Sequence, residues 1–121
     1  MTKLLSYEGA TFTKLDQEEL TWDGGSWKVG TLHDVSYTEL IEIFGTPTHN
    51  RESGDFKVQM EWVIEVNDGD KVYNLRIYDW KTYDRNYTKT KLNTWSIGGN
   101  EKANPYLLKS FVHTHQSVLI N

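Results

Sequence analysis

Between positions 77 and 95 the chain interleaves aromatic and basic side chains: Ile77-Tyr78-Asp79-Trp80-Lys81-Thr82-Tyr83-Asp84-Arg85-Asn86-Tyr87-Thr88-Lys89-Thr90-Lys91, then Trp95. This mixture suits a ligand that carries flat rings and negative charge, because bases stack on Tyr or Trp while Lys and Arg meet phosphate. Tyr78, Trp80, Lys81, Tyr83, Arg85, Tyr87, Lys89 and Trp95 are therefore candidate ligand-binding residues. Gly98 and Gly99 extend the set, since consecutive glycines can turn backbone N–H groups toward an anion. Structural roles fit the same residues: Tyr78 and Trp80 as core or edge-strand aromatics, the lysines as solubilising loop charges, and Gly98-Gly99 as a turn closing a strand.

Other chemistries find less support. With no cysteine there is no disulfide, thiolate nucleophile or Cys-based metal site. His113-x-His115 has metal-like types, but on a helix an i, i+2 pair points to different sides. His33 and His49 are isolated in sequence, and Asn67-Asp68-Gly69-Asp70 reads as a turn because it lacks the ligand spacing of a calcium loop. There is no G-x-S-x-G elbow, P-loop or G-x-G-x-x-G. Glu61, Asp79 and Asp84 adjoin the aromatic-basic stretch and leave a hydrolase of a small phosphorylated signal as an alternative. No catalytic residue, metal site or cofactor is assigned.

Net charge is −4, but it is unevenly distributed. Residues 1–70 carry five Lys/Arg against fourteen Asp/Glu, and residues 71–121 carry eight against three. If the halves separate in space, the molecule has an acidic and a basic face; if they interleave, only a solvated surface results. The overall balance argues against duplex DNA, whose binders are strongly basic.

The elements that must position these residues follow from periodicity. Ser36 and Glu39 have the spacing of a capping box, and Tyr37, Leu40, Ile41 and Phe44 form an apolar helical stripe closed by Gly45 and Pro47. Residues 48–55 are a polar surface loop. Val58, Met60, Trp62, Ile64 and Val66 alternate with more polar residues as a half-buried strand. The turn at Asn67-Asp68-Gly69-Asp70 and a second alternation at Tyr73, Leu75 and Ile77 complete an antiparallel hairpin. Trp22 to Val29, around Asp23-Gly24-Gly25, reads as another hairpin, and Thr11-Phe12-Thr13 as a short strand. Residues 15–20 suggest a weak acidic helical turn. A long loop should follow the central hairpin, then a short strand at Trp95-Ser96-Ile97 closed by the two glycines. Asn104-Pro105 opens a last helix with Leu107, Leu108, Phe111, Val112 and His115 on its apolar stripe. The expectation is one α+β domain over 1–121, with an antiparallel sheet of three to five strands and two helices, one covering a sheet face.

At 121 residues and 14.1 kDa, one core is the natural size. No run approaches the roughly 18 apolar residues of a spanning helix, and Met1-Thr2-Lys3-Leu4-Leu5-Ser6 lacks a signal peptide's apolar centre; the expectation is a cytoplasmic protein with no membrane partner.

Residues 29–99 resemble a family of small uncharacterised proteins encoded mainly by bacteriophages. The resemblance rests on Leu40-Ile41-Glu42-Ile43-Phe44-Gly45-Thr46-Pro47, Asp55-Phe56-Lys57-Val58 with Glu61-Trp62, Ile77-Tyr78-Asp79-Trp80-Lys81, and Trp95-Ser96-Ile97-Gly98-Gly99. Ser96 stands where a histidine is expected in that pattern, and the 83–91 loop is more basic. The resemblance implies a viral protein in a host cytoplasm and carries no established activity. The expectation is a non-enzymatic binding protein for an anionic nucleotide-like ligand, with antagonism of host defence as one use. The alternatives are a protein–protein inhibitor module using the acidic Glu39, Glu42, Glu61 and Glu65, and the hydrolase above. An exposed sheet edge would also suit a symmetric partner.

Overall fold

Alternating β-branched and aromatic residues, broken by short glycine- and aspartate-bearing turns, build most of the molecule. The computed structural model describes residues 4–20 and 25–120, with side chains for 5–20 and 25–116. Strands β1 (Leu4–Tyr7), β2 (Ala10–Lys14), β3 (Trp27–His33), β4 (Glu61–Asn67), β5 (Val72–Tyr78) and β6 (Thr94–Gly99) form one antiparallel sheet in the order β1-β2-β4-β5-β6-β3. Helices α1 (Tyr37–Phe44), α2 (Arg85–Thr90) and α3 (Pro105–Ile120) complete the fold, with a 3-10 turn at Gln17–Glu19. The class is α+β.

The central hairpin takes the register its alternation dictates, with Trp62 opposite Ile77, Ile64 opposite Leu75 and Val66 opposite Tyr73. These six side chains share one sheet face with Phe12, Leu32, Trp95 and Ile97. Leu40, Ile43 and Phe44 of α1 and Leu108, Phe111 and Val112 of α3 cover that face. Phe111 is the hinge of this packing: its ring stacks on Phe12 at 4.4 Å and meets Phe44 at 5.9 Å and Tyr7 at 6.1 Å. Helix α1 begins at the expected capping box, with Ser36 Oγ accepting from Glu39 N at 3.1 Å and Glu39 Oε1 accepting from Ser36 N at 3.0 Å. It ends at Gly45, whose φ of 82° favours glycine.

Several expectations need correction. Among the described residues the sheet has six strands rather than three to five, and there are three helices rather than two. Strand β1 was not anticipated, being four residues long. Helix α2 lies in what reads as a long loop; it has no apolar stripe, only Thr88 is buried, and its start is set by Asp84, which accepts from Asn86 N and Tyr87 N. Gly98 and Gly99 are inside β6 rather than in a turn after it. The reason is close approach: a Cβ on Gly99 would sit 2.6 Å from Ala103 Cβ and 3.1 Å from Leu75 Cδ2, and one on Gly98 would meet the Tyr78 ring at 3.2 Å. The expected turn of the 22–29 hairpin falls partly outside the described residues, and residues 27–33 pair with β6. No helix among the described residues is long and apolar enough to cross a membrane.

Candidate functional site

Antiparallel pairing brings the start of β4, the end of β5 and the start of β6 to one end of the sheet, so the 45–60 and 79–93 segments lie side by side there. Asp79 joins them. Its side chain is fully buried; Oδ1 accepts from the backbone N–H of Gln59 (2.7 Å) and Met60 (3.2 Å), and Oδ2 from the hydroxyls of Thr82 (3.0 Å) and Thr88 (2.8 Å). A second tie runs from Lys81 N to Lys57 O at 2.7 Å. Arg85 makes a third, donating to Gln59 O at 2.6 Å and Asn50 Oδ1 at 2.8 Å.

On this braced base, exposed rings alternate with cations. Trp80 is 51% exposed, with Lys81 Nζ 5.5 Å and Lys57 Nζ 5.9 Å from its ring centroid. Trp80, Lys81, Thr82, Asp84, Tyr87 and Leu92 line an open hollow of about 430 Å³, and Tyr87 is 44% exposed. Tyr83, three residues after Trp80, and Phe56, next to Lys57, are also exposed, and Phe56, Lys81 and Tyr83 all have positive φ, at 61°, 57° and 56°. Non-glycine residues enter this region at an energetic cost, and such strain concentrates at functional sites. Asp55 partly offsets Lys57 at 3.9 Å. Hydrogen bonds from Ser53 Oγ and Lys57 N hold the Asp55 carboxyl below the ordinary aspartate value.

Of the residues singled out from sequence, Trp80, Lys81 and Tyr87 come together at the hollow, and Tyr83 is exposed in the loop beside it. Lys89 lies on α2 with its ammonium 5.8 Å from the Tyr37 ring. Tyr78 is half-buried on the sheet face opposite α1 and α3, edge-on to Trp80 at 6.2 Å. Arg85 is a structural tie rather than a free cation. Trp95 is a correction: it is 1% exposed, packs against Trp62 at 5.5 Å and donates Nε1 to Val35 O at 2.7 Å. Gly98 and Gly99 are likewise buried within β6, so no anion-binding turn forms there. Lys57, which the sequence reading omitted, belongs to the site; only the pairing of residues 57 and 81 across the fold reveals it.

A second cleft, about 530 Å³, opens at the same end and is lined by Gln17, His49, Arg51, Glu52, Ser53, Val58 and Glu61. His49, isolated in sequence, bridges Glu61 through the backbone, and its Nε2 stands 3.7 Å from Glu61 Oε1. Glu61 is held by Arg76 at 2.9 Å, and the Gln17 amide nitrogen contacts His49 Nδ1 at 3.1 Å. Both ring nitrogens of His49 thus face protein groups. The acids weighed for hydrolysis are each engaged: Asp79 by four hydrogen bonds, Asp84 as a helix cap, Glu61 in an ion pair. Tyr78, beside Glu61 on β5, has its hydroxyl pKa raised, first by burial and then by the Glu61 charge, against a lowering hydrogen bond with Ser96. Among the described residues no cluster of three or more His, Asp or Glu side chains is placed to hold a metal ion. His113 contacts Gln116 and His115 packs edge-on against Phe111, on different sides of α3.

No family model matches the chain, and comparison with curated proteins and with solved structures returns no similar protein.

Proposed function

We propose that this is a non-enzymatic binding protein whose Trp80 surface takes an anionic, ring-bearing ligand of the nucleotide type. The observation that carries the reading is one exposed indole ring with two lysine ammonium groups, from residues 57 and 81, within 6 Å of its centroid. An incoming base would stack on the Trp80 face, and its phosphate would meet the flanking ammonium groups. The engagement of Glu61, Asp79 and Asp84 in structural contacts favours binding over hydrolysis. The four carboxylates of the acidic-face alternative divide between α1, over one sheet face, and the Glu61 and Glu65 positions of β4, whose alternation points them to the other. Joined to the resemblance to phage-encoded proteins, the reading is of a viral protein that sequesters a host nucleotide-like signal or strand in the host cytoplasm.

Thermal melts with ATP, tripolyphosphate and adenosine test this. ATP should raise the melting temperature more than either part of it, because ring and charge bind together, and Trp80→Ala should remove the increase. At a ligand concentration of about 100 Kd the stabilisation should reach about 2.7 kcal/mol. An equal ATP shift in wild type and Trp80→Ala, or no shift at any attainable concentration, would overturn the assignment.

A further inference from the structure

The Trp80 ring does not stand alone. Tyr87 lines the same open hollow with Lys81, so two exposed rings share one surface. The cations sit on the Trp80 side of it: Lys81 N donates to Lys57 O at 2.7 Å, and both ammonium groups reach the Trp80 ring, whereas Lys89 turns away to Tyr37. A free mononucleotide offers one base and uses one of the two rings. A polymer that repeats base and phosphate uses both in series.

The form of the hollow points the same way. Small-molecule sites enclose most of their ligand, whereas proteins that take single strands without sequence preference offer open platforms to successive bases along a cationic track. Here the two platform rings are 51% and 44% exposed. Backbone strain falls on the same segments, with positive φ at Phe56, Lys81 and Tyr83, and Asp79 and Arg85 brace the two loops from beneath. We infer that the Trp80–Tyr87 surface binds a single-stranded nucleic acid, across at least two consecutive nucleotides, in preference to a free mononucleotide. This rests on the ring-and-anion reading of the Trp80 surface and narrows it.

The test is fluorescence anisotropy of the full chain with labelled oligothymidylate and oligouridylate of about eight nucleotides, with thymidine monophosphate as competitor. The oligomers should bind more tightly than the monophosphate by tenfold or more, the rough equivalent of one further stacked base at about 1–3 kcal/mol. Trp80→Ala and Tyr87→Ala should each weaken oligomer binding by about fivefold or more while the far-ultraviolet circular dichroism stays unchanged, since both rings are exposed. The logarithm of affinity should fall with that of salt at about −0.7 per phosphate contacted, and Lys57→Ala with Lys81→Ala should flatten the slope by about 1.4. Preference between the two oligomers identifies DNA or RNA as the source of the strand. If the monophosphate binds as tightly as the oligomers and depends on Trp80, the strand proposal falls and the ring-and-anion reading stands. If neither binds, or oligomer binding is indifferent to Trp80 and Tyr87, both fall.

Discussion

At the scale of single residues, Asp79 shows how a carboxyl in a chemically suggestive stretch becomes architecture. Replacing it with alanine leaves two buried backbone N–H groups, of Gln59 and Met60, without an acceptor. Each buried orphan costs about 1–3 kcal/mol, so Asp79→Ala should lose roughly 2–6 kcal/mol in urea unfolding. Asp79→Asn keeps one carbonyl oxygen for those N–H groups and lets the threonine hydroxyls turn to accept, and should lose less than half as much. Equal stability of Asp79→Ala and wild type would show that the two segments are joined some other way. The segments that carry the resemblance behave similarly: Trp62 Nε1 donates to Gly45 O at 2.9 Å, Trp95 Nε1 to Val35 O, and Gly99 admits Ala103 where a side chain would collide. Among the buried side-chain polar atoms of the described residues, the Tyr73 hydroxyl is the exception, sitting near the Asn104 backbone without a well-formed hydrogen bond.

Among the elements, α1 and β4–β5 were legible because each carries its own period and its own stop signals. The capping box at Ser36 and Glu39 and the apolar stripe are local properties of the chain, and so is the two-residue alternation of the hairpin. Helix α2 carries no such pattern, since its six residues are placed by Asp84 at one end and by Thr88 reaching Asp79 beneath. The helical cover lends itself to a paired measurement of local against tertiary contributions. Ser36→Ala removes one cap and should destabilise by about 1 kcal/mol. Phe111→Ala empties the contact between α3, Phe12 and Phe44 and should cost about 3–5 kcal/mol. Comparable losses from the two, by chemical denaturation, would mean that α3 does not anchor the sheet as described.

For the molecule as a whole, the acidic and basic halves of the sequence neither separate nor mix fully. Strands β1, β2 and β4 from the first half are contiguous, while β3 crosses to the far edge beside β6. At the seam Glu61 and Arg76 form an ion pair. Two tyrosines tie global stability to alkaline pH. Burial raises the pKa of Tyr73 and of Tyr78 above the ordinary 10.0, with Asp68 and Glu61 respectively adding to it. Below about pH 10 both are protonated in the folded and unfolded chains, and their effect on stability is constant. As pH rises beyond that point the unfolded chain releases the protons first, so stability should fall until the folded tyrosines ionise too. Urea midpoints measured from about pH 8 to 11 should drop at the alkaline end, and the double substitution Tyr73→Phe with Tyr78→Phe should shrink the drop. An identical alkaline limb in the double variant would assign it to other groups.

Patterns with a short range in sequence were readable without coordinates: the class of the fold, the central hairpin, the capped helix and the mixture of rings and cations after Tyr78. Their physical causes, periodicity, capping and turn chemistry, act between residues a few positions apart. Which of those rings face water was decided only by tertiary packing, because Trp80 and Trp95 look alike in sequence until one is placed in the core and the other at a loop. The nearness of Lys57 to Trp80, and of His49 to Glu61, depends on pairing between distant segments, and no local rule encodes that distance.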